Sequence, residues 1–213
     1  MLTVYTFGDS MLDCGVYNAY RVTPGQLLVQ NDDGLFPEFH GQDLATHGPA
    51  RLVHRARDGA TVSDLHAQAQ GLGEEHPALA LLTVGGNDLL RGLIVDHGPG
   101  VEAFAAALDA FLRRLPIRPV LIGNVYDPTF GDDNLNFLGV DPTLARANHQ
   151  RMNLVLADAA GRYGALVDVH AHFLCGDPTW FTSTIEPSLR GASEVRRCFL
   201  RPALDVQRAS AGE

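Results

Sequence analysis

The run Ala78-Leu79-Ala80-Leu81-Leu82-Thr83-Val84 constrains the fold more than any other stretch of this chain. It is almost continuously apolar and is bounded by Pro77 on one side and Gly85-Gly86 on the other. A strand with one wet face alternates apolar and polar residues. An unbroken run reads instead as a strand buried on both faces, in a parallel sheet covered by helices. Thr3 to Phe7, rich in β-branched and aromatic residues, reads as another strand. Pro119 to Gly123 and Ala165 to Val169 supply two more, and Arg51 to Arg57 a short one.

The segments between these runs carry helical spacing. Val101, Phe104, Ala105, Leu108, Phe111, Leu112 and Leu115 recur at i, i+3, i+4 and i+7, the mark of an amphipathic helix. Val62 to Gln70 has the same spacing, with Thr61 or Ser63 as its cap. Pro142 suits the first turn of a long helix running to about Tyr163. Gly191 precedes a final helix over about Ala192 to Leu204, and the polar tail from Asp205 reads as frayed. Met11 to Pro37 holds the turn signals Pro24-Gly25 and Asn31-Asp32-Asp33-Gly34 and reads as an irregular segment that walls a site. Strands alternating with helices predict an α/β fold: a three-layer αβα sandwich around a mainly parallel five-stranded sheet, flavodoxin-like, in one domain over residues 1–213.

Bulk properties narrow the function classes. The 213 residues are 46% hydrophobic and 19% charged, which excludes a largely disordered chain. A formal net charge of −9 disfavours nonspecific binding to nucleic acid. Cys14, Cys175 and Cys198 are too few and too scattered for a disulfide framework or zinc spacing. No apolar run reaches the length of a membrane span. No signal peptide is visible, so a cytoplasmic location is the expectation, although a chain whose signal peptide had been removed would read the same way.

Ligand sites in open parallel sheets lie at the carboxyl ends of the strands. Gly8-Asp9-Ser10, Gly59, and Gly85-Gly86-Asn87-Asp88 each follow a predicted strand. Alone, each is an ordinary turn sequence. A serine on a tight turn past a strand is also how an exposed nucleophile is presented.

Taken together and in this order, the three stretches resemble the first three sequence blocks of the SGNH (GDSL-type) hydrolases. The resemblance covers most of the chain and implies an esterase or acylhydrolase acting on a small acyl or acetyl ester. The implied partner is a small-molecule ester, and no cofactor or metal is implied. Ser10 would be the nucleophile. Its own N–H, the Gly59 N–H and the Asn87 side-chain amide would form the oxyanion hole, where fixed donors favour the charged intermediate over the ground state. Asp13 matches an acid found three residues beyond the serine in some members, and equally suits an early helix N-terminus.

The last block departs from the family. Its pattern is Asp-x-x-His-Pro followed by a glycine, in which the Asp orients the His and the His deprotonates the serine. Here the matching residues are Ser183, Glu186, Pro187 and Gly191. Glu186 stands where the histidine belongs, and Ser183 where the aspartate belongs. Three readings stay open. In the first, Glu186 is the base: a free Glu titrates at about 4.3, and partial burial would raise it. Alternatively His172 or His170, flanking the end of the last strand on one face, takes the role with Asp168 beside it. In the third reading the domain binds an ester or sugar without turnover. His170, His172 and Asp168 also have the makings of a metal site, but a further ligand is lacking. Arg190, Arg196 and Arg197 are candidates to pair with Glu186 and depress its pKa. Trp180 and Phe181 either line a pocket or plug the core, and Tyr126 to Phe130 forms a second wall.

Overall fold

The computed structural model describes residues 1–211. Its centre is a five-stranded, wholly parallel sheet in the order β2-β1-β3-β4-β5. The strands are β1 (Leu2–Gly8), β2 (Ala50–His54), β3 (Ala78–Thr83), β4 (Val120–Gly123) and β5 (Gly164–Val167). This strand order is the flavodoxin-like one, and the expected three-layer α/β architecture is what forms. The chain leaves β1 for β2 in one direction and returns past it to β3 in the other. The β1/β3 boundary is therefore the topological switch point, where open α/β sheets bind ligands.

Alternation along the strands divides the core in two. Leu2, Val4, Leu79, Leu81 and Leu121 face one layer, formed by α1 (Pro24–Val29) and α8 (Leu189–Ala211). Tyr5, Phe7, Ala80, Leu82 and Ile122 face the other, formed by α5 (Gly100–Arg114) and α6 (Pro142–Tyr163). Successive side chains of a strand point to opposite faces, so a strand covered on both sides must be apolar throughout. Phe7 and Phe111 are fully buried and meet edge to face at 5.9 Å. Burying a side chain of that size stabilises by roughly 1.5–3 kcal/mol.

Shorter helices complete the molecule: α2 (Leu44–His47), α3 (Leu65–Gln68), α4 (Gly86–Leu90) and α7 (Val169–Leu174). A small antiparallel hairpin, β6 (Phe181–Thr182) and β7 (Glu186–Pro187), precedes α8. No helix among the described residues is long and apolar enough to cross a membrane.

Four sequence expectations need correction. The Met11–Pro37 segment is not wholly irregular. It contains α1, started by a capping box in which the Gln26 N–H donates to Thr23 Oγ1 and Gln26 Oε1 accepts from the Thr23 N–H. The Val62–Gln70 helix is interrupted: a 3-10 turn over Val62–Asp64 gives way to α3, which stops at Gln68. The last helix begins at Leu189, before Gly191, and continues to Ala211 through the part of the expected frayed tail that is described; residues 212–213 lie outside the described residues. Gln207 pins its end by donating to the Leu44 carbonyl at 3.0 Å. Finally, the last strand ends at Val167. The Asp168 carboxylate accepts from the Ala171 N–H at 3.0 Å and starts α7, so His170 and His172 lie on a helix. Two residues apart on a helix is about 200° of rotation, and the two rings point in different directions.

Candidate active site

The turn after β1 admits little variation. Gly8 has φ +109°, and a Cβ there would stand 1.6 Å from the Thr83 carbonyl oxygen. Gln68 clamps the same residue, accepting from the Gly8 N–H at 2.7 Å and donating to the Gly8 carbonyl at 2.9 Å. The Asp9 N–H donates to Thr83 O at 3.1 Å. Asp9 Oδ1 accepts from Thr83 Oγ1 at 2.8 Å and from the Met11 N–H at 3.2 Å. The turn is thus tied to β3, and Ser10 sits at the switch point with 8% of its surface exposed.

Gly59 lies on the loop beyond β2, with φ +74°. A side chain there would find open space, so it is the left-handed backbone that favours glycine. Asp13 anchors this loop. One of its oxygens accepts from the Asp58 N–H at 3.0 Å and the other meets His54 Nε2 at 3.0 Å, while His54 Nδ1 bonds Thr6 Oγ1 at 2.8 Å. These contacts make Asp13 a loop anchor rather than a helix N-terminal acid. Tyr17 adds a further tie, its hydroxyl donating to Asp58 at 2.6 Å.

Asn87 is on the first turn of α4, after the left-handed Gly85. Its Nδ2 donates to the Ala60 carbonyl at 3.0 Å. Arg91 donates to the Gly59 carbonyl at 2.9 Å, and Asp88 accepts from the Val62 N–H at 3.2 Å. Three bonds therefore fasten α4 to the Gly59 loop. Among the described residues, neither the Ser10 N–H nor the Gly59 N–H is hydrogen-bonded within the protein, and one hydrogen of the Asn87 amide is also left over.

Glu186 arrives from the far side of the molecule on β7. Its carboxylate is half-buried, and Oε2 is buried without a hydrogen-bond partner. The nearby Ser10 hydroxyl opposes the rise in this carboxyl's pKa that burial causes, and no hydrogen bond joins the two groups. Burial is the larger influence and pushes Glu186 above the usual carboxylate range; the charge on Asp58 adds to that push. Beneath Ser10, burial raises the Asp9 carboxyl to about 7. The Thr83 and Met11 donors oppose this rise, and Glu186 and Asp88 add to it.

The two alternative histidines lie elsewhere. His172 Nε2 bonds Glu194 at 2.9 Å, and its ring stacks on Trp180 at 5.1 Å. His170 packs against His149 at 4.9 Å with its Nδ1 buried and unpartnered, and burial lowers its pKa. Neither bonds Ser10. Asp168 spends one oxygen on the Ala171 N–H and on Asn124. Among the described residues no group of three His, Cys, Asp or Glu side chains could hold a metal ion.

The arginines considered as partners of Glu186 are also engaged away from it. Arg190 faces Asp177 at 3.5 Å, Arg197 bonds Glu194 at 2.8 Å, and the buried Arg196 lies 3.4 Å over the Phe39 ring. Trp180 is a core plug, 7% exposed. Tyr126 does form a wall. An apolar pocket opens beside the site between Gly86, Leu89, Val125, Tyr126, Phe137 and Ile185. Tyr17, Asp58 and Arg91 belong to the site's surroundings without any sequence signal that marked them.

The GDSL-like lipase/acylhydrolase family matches residues 6–192. The chain belongs to this family. The matched span contains the Ser10, Gly59, Asn87 and Glu186 positions alike. A comparison with curated protein sequences finds no match. Among solved structures, an acetylxylan esterase from Geobacillus stearothermophilus is 20% identical, with 94% of this chain and 93% of that one covered and a TM-score of 0.66. An α/β hydrolase from the metagenome of Lake Arreo, Spain, is 21% identical over 98% and 95%, with a TM-score of 0.62. A lipase from a goat rumen metagenome is 17% identical over 95% and 97%, with a TM-score of 0.64. At these identities the likeness is one of fold. Within it, the Gly8–Ser10, Gly59 and Gly85–Asp88 turns follow β1, β2 and β3, and Glu186 lies on β7.

Proposed function

We propose that this protein is a serine esterase in which Ser10 attacks a small acyl ester and Glu186 serves as base in place of histidine. One observation carries the reading: the Glu186 carboxylate is half-buried with an unpartnered oxygen, and the neighbouring Ser10 hydroxyl is near enough to influence its pKa. A base works best when its pKa approaches the working pH, and burial moves Glu186 in that direction. Apo geometry of this kind is commonly loose and tightens when substrate binds.

Glu186 takes the hydroxyl proton as Ser10 Oγ bonds to the carbonyl carbon. The carbonyl π electrons move to oxygen, and the charge is met by the N–H groups of Ser10 and Gly59 and the free amide hydrogen of Asn87. Collapse expels the alcohol, which takes the proton back from Glu186. Water then adds to the acyl-serine with Glu186 again as base, and the carboxylic acid leaves as Ser10 regains its proton. The apolar pocket beside Asn87 and Ile185 supports placing the acyl group there. A binding module on the same fold is the competing reading.

The test is hydrolysis of aryl esters of increasing acyl length, with a fluorophosphonate as an active-serine label. Turnover and labelling that both vanish in Ser10→Ala support the esterase. Neither turnover nor labelling of the wild type, across acyl lengths and pH, sinks it in favour of the binding module.

A further inference from the structure

Glu186 sits on a two-residue strand next to a strained turn, and its position depends on what grips that turn. We infer that Tyr126 is a positioning residue for Glu186, holding the β6–β7 hairpin in register with Ser10. This inference rests on the proposed Ser10–Glu186 chemistry.

The hairpin cannot rely on its own backbone. Its tip holds Ser183 at φ +48° and Thr184 at φ +76°, the left-handed region that a β-branched residue rarely enters. Such strain persists only when surrounding contacts over-determine it. Tyr126 supplies contacts to both arms. Its hydroxyl donates to the carbonyl of Ile185, the residue before Glu186. Its ring stacks on Phe181 of β6 at 5.1 Å and 25°, and Phe181 pairs with Pro187 of β7.

Tyr126 is itself fixed from behind. His149 Nε2 faces the carbonyl oxygens of Val125 at 2.8 Å and Tyr126 at 3.2 Å, and Asn153 of α6 accepts from the Val125 N–H at 2.8 Å. A continuous set of contacts thus runs from α6 through Tyr126 to the backbone that carries Glu186. The ionisable groups around that carboxylate are Asp9 after β1, Asp58 after β2, Cys14 and Tyr17 in the segment after β1, and Tyr126. All are acidic or neutral, and no arginine forms an ion pair with Glu186 among the described residues. If the hairpin loosens, the carboxylate gains water rather than a cation.

Tyr126→Phe separates positioning from packing, because the ring contacts stay and only the bond to Ile185 goes. The expected result is a fall in kcat of about tenfold with KM for a short acyl ester within about twofold, since a small misplacement of a catalytic group costs up to a hundredfold. The acid limb of kcat/KM should move to lower pH, and a carboxyl 13C titration of Glu186 should move with it. Phe181→Leu, which breaks the other contact, should shift both in the same direction, and it carries the test if Tyr126→Phe melts early. Wild-type kcat and an unmoved Glu186 titration in folded Tyr126→Phe would overturn the inference. The NMR titration needs no turnover, so it still reads positioning if Glu186→Gln shows that the base lies elsewhere.

Discussion

Asn87 donates from its side-chain amide to the carbonyl of Ala60 at 3.0 Å, one residue beyond Gly59. The bond fixes the orientation of the amide and leaves its second hydrogen for another acceptor. Asn87→Ala should lower kcat by about 10²–10³-fold, roughly 3 kcal/mol of barrier, as loss of one oxyanion donor typically does. KM should change little. Steady-state kinetics on an aryl ester checks this, and an equal fall in kcat/KM through KM alone would refute the donor role.

Glu186→Gln keeps the shape of the side chain and removes its basicity. Turnover should drop by about 10²–10⁴-fold, the usual worth of general base catalysis. A variant that keeps full activity would dismiss Glu186 as base.

The pH profile has a definite sign. In the proposed mechanism the base is ionised Glu186, so the acid limb should lie above the ordinary carboxylate range, because burial raises that pKa. Asp58 adds a negative charge that raises it further. Asp58→Asn should therefore move the acid limb to lower pH, and a shift to higher pH would contradict the assignment.

Asp9 makes a stability prediction. Its folded carboxyl titrates at about 7, against 3.8 for an unperturbed aspartate. The folded state then holds a proton that the unfolded chain has lost, so stability falls as pH rises between about 4 and 7. Asn at this position can keep the contacts of Oδ1 with Thr83 and Met11 without acquiring a charge. Asp9→Asn should flatten the pH dependence in this window and melt higher than wild type at pH 8. Thermal denaturation from pH 4 to 8 measures both.

Gly8→Ala should be far more damaging than a surface change. The new methyl group would overlap the Thr83 carbonyl, and the alanine would have to adopt a positive φ. A loss of more than about 4 kcal/mol is expected, the range reached only by severe steric or burial defects. Urea denaturation of the variant tests it.

The sheet was legible because its information is local. A buried parallel strand must be apolar on both faces, and the run from Ala78 to Val84 states that directly. The α1 helix is hidden in the sequence despite the capping-box spacing of Thr23 and Gln26, because it is short and flanked by turn residues. The end of α8 was missed because its anchor, the contact between Gln207 and Leu44, joins distant parts of the chain. The shared face expected of the two histidines fails because Asp168, within the expected strand, caps a helix with its carboxylate. At the site, Ser10, Gly59 and Asn87 stood out through their order and their strand ends. Tyr17 and Asp58 do not, and Tyr126 reads only as a wall, since each acts through a partner remote in sequence.

The order of the elements has a consequence for synthesis. Ser10 emerges with the first strand, whereas Glu186 follows the last strand of the main sheet on a hairpin held by Tyr126. A nascent chain carries its serine hydroxyl through synthesis of the whole main sheet with no proposed base beside it. On the proposed chemistry, reactivity is then acquired only when the C-terminal hairpin and α8 dock. A serine-directed label should therefore report completed assembly rather than the mere presence of the N-terminal turn.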